Sequence, residues 1–212
     1  MQTELYLVRH GETLWNLEKR FQGQNDSPLT ENGREQARIL GKSLQGISFD
    51  ALITSDLGRA AETAGLINSL LNVPVFLTEP LLRERNFGIF HGLKREEAEK
   101  KYPREAAMIW SGNADAVVPG GESRNQLRQR VQRFLDDLPV KYPGKRVLAI
   151  THGGVVNMAI RLVLGIPFDA PRRFKLPNTG LSIFVYEKNE WFLRAMNITC
   201  PLKDRQIYDD TV

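Results

Sequence analysis

Apolar residues along this chain fall into two rhythms. Continuous runs at residues 4–8, 51–54 and 146–151 are short, rich in Leu, Ile and Val, and followed by polar or glycine-containing turns, the pattern of central strands buried on both faces. Each run is followed by a helical repeat. After the first, Thr30 stands as an N-cap with Glu31 in the opening turn, and Ala37, Leu40 and Leu44 share one face. After the second, Leu57, Ala60, Ala61, Ala64, Ile67 and Leu71 recur at helical spacing in a helix expected from Asp56 to Leu71. After the third, Val155, Val156, Ala159, Ile160 and Val163 do the same, with Gly165 and Pro167 as the stop.

Strands alternating with helices predict βα units and a three-layer α/β/α sandwich around a mostly parallel sheet. A further short strand is expected at Val75–Leu77. The runs Leu181–Tyr186 and Trp191–Met196, separated by a polar turn, predict a hairpin that makes part of the sheet antiparallel. Residues 84–122 are the least regular. Two short helices and a loop from Gly112 to Gly121 are expected there, as an insertion covering the site within a single domain spanning 1–212. The alternating charges from Lys94 to Lys101 read as a solvated helix face.

Composition narrows the class. With 212 residues, 42% hydrophobic and 25% charged, the chain is long enough to bury a core without staples. Its one cysteine, Cys200, excludes an internal disulfide and reads as a small buried hydrophobe, so a reducing, cytoplasmic location is expected. No signal segment or apolar run of spanning length is present, so no membrane association is expected. A net charge of +4 suits anionic ligands but is no argument for nucleic acid, and none is expected as a partner.

The chemistry concentrates where strands end. In parallel α/β sheets ligands bind beyond the carboxyl ends of strands. There this chain places Arg9, His10 and Gly11 after the first run, and His152, Gly153 and Gly154 after the third, using two of its three histidines. Attack on phosphorus needs a nucleophile, positive charge around the equatorial oxygens and a proton for the leaving group. His10 supplies a ring nitrogen, provided it is neutral and its other nitrogen is fixed. Arg9 and Arg59 supply the planar fork that suits phosphate, and Asn16 a further donor. Arg59 opens a helix, where the dipole disfavours a cation. His152 and the backbone N–H groups of the glycines after it stand at a helix start, where anions are stabilised. For the acid, Glu84 between Arg83 and Arg85 reads equally as a surface ion pair. Glu12 and Glu122 are rivals, the latter as part of a helix-start box with Ser123.

Taken together, these residues resemble the histidine phosphatase superfamily, phosphoglycerate mutase-like branch. The resemblance is carried by Arg9, His10, Gly11, Glu12, Thr13 and Asn16, by Phe21, Gln22 and Gly23, and by Ser27, Pro28, Leu29, Thr30 and Gly33. It continues through Thr54, Ser55, Leu57, Arg59 and Thr63, through Glu84, Phe87, Gly88 and Gly92, through Gly120 to Ser123, and through Thr151, His152 and Gly153. It implies a phosphorylated His10, a phosphoryl group gripped by Arg9, Arg59 and His152, substrate contacts from Asn16, Gln22, Gly23 and Gly153, and Glu84 as proton donor. No metal and no cofactor are implied. The implied substrate is a small phosphate ester, and relatives suggest a homodimer. A compact chain favours a phosphatase. The segment Asn197–Cys200 is similar to metal-independent phosphoserine phosphatases, and broad-range and α-ribazole phosphatases share the other motifs. The alternatives are a 2,3-bisphosphoglycerate-dependent phosphoglycerate mutase and a non-catalytic binding protein on the same fold. His91 either touches substrate or is a surface histidine. Specificity is expected in residues 20–26, 86–118 and 200–212.

Overall fold

The computed structural model describes residues 2–167 and 170–199; the expectations placed on Cys200 and on residues 200–212 lie outside them. In chain order the elements are β1 (Thr3–Arg9), α1 (Leu14–Leu17), α2 (Glu31–Ser43), β2 (Ala51–Thr54), α3 (Gly58–Leu71), β3 (Phe76–Thr78), α4 (Arg95–Lys101), α5 (Pro103–Trp110), α6 (Arg124–Lys141), β4 (Arg146–Thr151), α7 (Gly153–Leu164), β5 (Leu181–Glu187) and β6 (Glu190–Ile198). The strands form one sheet in the order β3-β2-β4-β1-β5-β6. β3, β2, β4 and β1 run parallel, and the β5–β6 hairpin adds two antiparallel strands beside β1.

Alternation along β1 sets the layers. Leu5 and Leu7 join the core made with α6 and α7, whereas Tyr6 and Val8 join the core under α2 and α3. Each such side chain withdrawn from water contributes about 1.5–3 kcal/mol before entropy is counted. β4 divides its residues the same way, Val147 and Ala149 to one face and Leu148 and Ile150 to the other. The result is the expected three-layer sandwich.

Local signals explain most element ends. The Thr30 side chain accepts from the Gly33 amide at 2.9 Å, capping α2. α7 stops at Gly165, which adopts φ 63°. The hairpin turn uses Lys188 and Asn189, both at positive φ, as a two-residue turn requires. α3 begins at Gly58, two residues later than expected. The helix α6, 18 residues long, lay behind a highly charged sequence; its buried Leu127, Val131, Phe134, Leu135 and Leu138 follow the helical repeat. The helix-start box there joins Ser123 to Gln126 rather than to Glu122, because Gln126 occupies the third helical position and reaches back to the Ser123 amide at 2.7 Å. Residues 84–122 form short turns, α4, α5 and a loop around a separate small core of Phe21, Phe90, Ala98, Ala106 and Val118.

One backbone contact fixes the loop after β1 against α2. A Cβ on Gly33 would lie 2.1 Å from the carbonyl oxygen of Glu12, and one on Gly11 would lie 2.4 Å from the carbonyl oxygen of Gly33. Replacing Gly33 by Ala adds helix propensity of about 1 kcal/mol. Overpacking against rigid backbone costs about 1–3 kcal/mol, so the clash outweighs it. Gly33→Ala is therefore expected to lower the urea midpoint; a raised midpoint would show that the loop yields freely.

Candidate active site

Three parallel strands deliver their carboxyl ends to one edge of the sheet. β1 ends in Arg9 and His10, β2 leads into Ser55, and β4 leads into His152; their register aligns Arg9 with Thr151 and Thr54 with Ile150. The His10 amide donates to Thr151 O at 2.8 Å and the Ser55 amide to Ile150 O at 2.9 Å, so the sheet continues into the site.

His10 is 3% exposed. Its Nδ1 lies 2.7 Å from the carbonyl of Gly11, which assigns the proton to Nδ1 and leaves the Nε2 lone pair available. Nε2 accepts from Arg59 Nε at 3.3 Å, a long contact. Burial, then the charges of Arg59 and Arg9, hold the imidazole well below its ordinary value. His10 is therefore neutral at neutral pH. His152 packs against it, with ring centroids 5.2 Å apart, and is likewise held neutral by burial and by Arg59. Its Nε2 lies 2.8 Å from the Ser55 hydroxyl, while its buried Nδ1 has no partner among the described residues.

Arg59 shows how the fold manages a cation at a helix start. The guanidinium is buried, and burial lowers its affinity for the proton. It donates to Gly23 O at 2.6 Å, to Asn25 O at 2.8 Å and to Asp26 Oδ1 at 2.9 Å. Asp26 Oδ2 also accepts from the Gly58 amide at 2.6 Å. One carboxylate thus caps α3 and neutralises its arginine, which offsets the unfavourable dipole. Arg9 donates through Nη1 to Leu176 O.

The cavity at this edge holds about 310 Å³ of atom-free space, counting solvent at its mouth. Arg9, His10, Asn16, Gln22, Gly23, Arg59 and Glu84 line it, and Arg20, Phe21 and Phe87 complete the wall. Glu84 is 5% exposed and is the only carboxylate among these lining residues. Its Oε1 accepts from the Arg85 amide at 2.7 Å and its Oε2 from the Gly154 amide at 3.0 Å. A Cβ on Gly154 would lie 2.2 Å from Glu84 Oε1, so that glycine admits the carboxylate. The surface ion pair suggested by the flanking arginines does not form: Arg83 binds Asp56 and Arg85 binds backbone carbonyls. The rivals face elsewhere. Glu12 accepts from the Thr30 hydroxyl at 2.7 Å, and Glu122 pairs with Arg130 at 2.7 Å.

Two expected positions differ. Gly153 and His152 do not line the cavity; His152 lies wholly buried behind His10. The next helix-start amide, that of Gly154, is occupied by Glu84 rather than facing open space. His91 is not a free surface residue. It lies outside the cavity wall, and its Nε2 accepts from the amides of Phe87 at 3.1 Å and Gln24 at 3.4 Å. The ring faces Gly23, where φ is 55° and a Cβ would lie 2.4 Å from Nε2. Burial and Arg59 keep His91 neutral as that acceptor role requires.

Asp26, Arg20 and Asn178 escaped the sequence reading. Asn178 Nδ2 donates to His10 O at 3.0 Å and to Asn16 Oδ1 at 3.3 Å, bracing the His10 loop from 168 residues away. No local pattern marks such a contact. Asp26 carried no local signal either: it lies 32 residues before Gly58, and the acid just ahead of α3, Asp56, pairs with Arg83 instead. Among the described residues no three His, Cys, Asp or Glu side chains converge as metal ligands. No described helix is long and apolar enough to cross a membrane.

Known proteins share this fold. The family model for the histidine phosphatase superfamily (branch 1) matches residues 5–199. A probable phosphoglycerate mutase GpmB of Cronobacter sakazakii is 37% identical over 191 residues, covering 89% of this chain and 87% of the relative. The solved structure of a putative alpha-ribazole-5'-P phosphatase from Escherichia coli superposes with a TM-score of 0.85 at 29% identity, covering 95% of this chain and 99% of that one. A phosphoserine phosphatase mutant from Entamoeba histolytica, in complex with phosphoserine, superposes with a TM-score of 0.80 at 28% identity, covering 92% of this chain and 96% of that one. Strand ends, arginine-lined cavity and family match agree: the chain belongs to the histidine phosphatase superfamily and is a phosphoric monoester hydrolase of that fold.

Proposed function

We propose that this protein hydrolyses small phosphate esters through a phosphohistidine formed on Nε2 of His10. The observation that carries the reading is a buried, neutral imidazole with a fixed tautomer, at the wall of a cavity lined by three arginines, Arg9, Arg20 and Arg59, and one carboxylate. Arg9 and Arg59 bind the phosphoryl oxygens, and the long Arg59 contact to Nε2 yields to the incoming phosphate. His152, buried behind His10 and outside the cavity wall, offers its unpartnered Nδ1 to a phosphoryl oxygen once that group has displaced the Arg59 contact to His10. Asn16, Gln22 and Gly23 shape the near wall, and Gly153 supports His152 from the helix start. His10 forms the N–P bond as the ester O–P bond breaks, and Glu84 gives its proton to the leaving oxygen. Water then attacks phosphorus, Glu84 takes its proton, and the N–P bond breaks. The segment 84–122 covers this site as part of one domain over residues 1–212, and the single cysteine supports a reducing compartment such as the cytoplasm.

A second reading, a phosphoglycerate mutase, is the name carried by the curated relatives, but the phosphatases among the structural neighbours do not favour it. The two differ in product. Phosphate release from a panel of monoesters is expected without priming by 2,3-bisphosphoglycerate, and isomerisation of 3-phosphoglycerate with no release from any ester would establish the mutase instead. His10→Ala is expected to abolish both turnover and acid-labile phosphoenzyme, a loss of about 10³-fold or more; parental rates in this variant would remove His10 as nucleophile. Glu84→Gln is expected to slow aliphatic esters about 10²–10⁴-fold and p-nitrophenyl phosphate far less, since a good leaving group needs no proton. An equal loss on both would point to another acid.

The depressed histidines also act on stability. Between their folded values and 6.5, the unfolded chain binds more protons than the folded one, so stability rises with pH in that window and falls as pH drops below 6.5. The paired carboxylates Glu4, Asp50 and Asp56 are also shifted down, from ordinary values of 4.5, 3.8 and 3.8, so they titrate below the range from pH 7.5 to 5.5. Moving from pH 7.5 to 5.5 is expected to remove about 2–3 kcal/mol through His10 and His152 together. Urea titrations at the two pH values measure it, and an unchanged midpoint would mean that the imidazoles are not buried neutral.

A further inference from the structure

A second cavity shares the walls Phe21, Glu84 and Phe87 with the first and holds about 920 Å³ of atom-free space, counting solvent at its mouth. In-line displacement sends the leaving group away from His10, and the proton donor must touch the departing oxygen. Glu84 therefore marks the exit direction, and this larger cavity lies on it. Trp110, Ile109, Leu127 and Met158 give it an apolar lining, the kind that holds a carbon skeleton.

Its charges are less ordinary. Three arginines line it, but Arg95 stacks on Trp110 at 4.7 Å and pairs with Glu99 at 3.0 Å. Arg85 lies over the Phe87 ring at 5.5 Å, but neither it nor Arg124 has a described carboxylate paired against it. Arg85 donates to the carbonyls of Glu122 at 2.9 Å and Ala116 at 3.5 Å, and Arg124 donates to the carbonyl of Gly112. The nearby acids are committed, Glu122 to Arg130 at 2.7 and 2.9 Å and Glu84 to backbone amides. Burial and the charge of Arg124 push Arg85 down to about 10. Two adjacent cations beside an apolar cavity raise each other's energy until an anion joins them.

We infer that the substrate's leaving group occupies this cavity and carries a second anionic group, a carboxylate or a phosphate, held between Arg85 and Arg124. The inference rests on the phosphatase reading and narrows it: simple uncharged alcohol phosphates are the poorer substrates. Arg124 and Arg85 determine specificity, while His10, Arg9 and Arg59 recognise the phosphoryl group common to all.

Three matched esters test this: 4-carboxybenzyl phosphate, 4-(phosphonomethyl)benzyl phosphate and the methyl ester of the first. Their leaving groups differ little in basicity, so differences in kcat/KM report binding at the far end. At low salt the parent is expected to favour at least one anionic ester over the neutral one by about tenfold or more, the value of a charge-assisted hydrogen bond. The arm that shows the preference identifies carboxylate or phosphate. Arg124→Gln is expected to bring that ratio toward one, and Arg124→Lys to restore part of it. Arg85→Gln serves as a second variant if circular dichroism shows it folded. A merely structural role would slow all three esters alike, so an unchanged ratio in Arg124→Gln overturns the inference, as does a parental ratio near one. Release of phosphate from p-nitrophenyl phosphate in that case leaves the phosphatase reading standing; no release from any ester overturns both.

Discussion

A guanidinium withdrawn from water beside an imidazole that must stay uncharged is the constraint around which this site is built. Arg59 keeps its charge because two backbone carbonyls and Asp26 surround it, and burial, reinforced by that charge, keeps His10 and His152 unprotonated. The compensation is structural as well as electrostatic. It draws residues 23–26 across the start of α3, and the same carboxylate supplies the helix cap that Leu57 cannot. An uncompensated cation at this depth would cost several kcal/mol, a large share of ordinary domain stability.

The layout was largely legible because strand and helix periods are local. β1, β2 and β4 announced themselves as short continuous apolar runs, and the residues that end them, His10, Ser55 and His152, fall at one edge by the rules of parallel sheets. What could not be read is what depends on distant pieces of chain. Asn178 bracing His10, Ser55 holding His152, and Gly154 admitting Glu84 are contacts across tens to more than a hundred residues. The choice of Glu84 over Glu12 and Glu122 became a matter of direction rather than type. Each of the three is a carboxylate near an arginine or a helix start, and only the fold shows which one faces the cavity.

His91 illustrates the same limit. From composition it was a titratable side chain near a glycine. In the fold it joins the two loops that form opposite walls, accepting one amide from each. Its small neighbour Gly23 lets the ring approach, and the positive φ there turns the Gly23 carbonyl toward Arg59. Nucleophile, arginine and wall loops are thus one hydrogen-bonded assembly, in which each group's protonation state is set by the others.

The contact between Gly11 and Gly33 bears on how such a site can diversify. Main chain meets main chain there, with no side chain between to lengthen, shorten or rotate. The loop after His10 therefore has no tunable spacer against α2, and substitutions cannot shift it by degrees; they either leave it in place or dislodge it. The opposite side of the cleft is assembled from interdigitating side chains in residues 84–124, where graded change is available. The placement of His10 is fixed by main chain, and the facing wall can change without disturbing it.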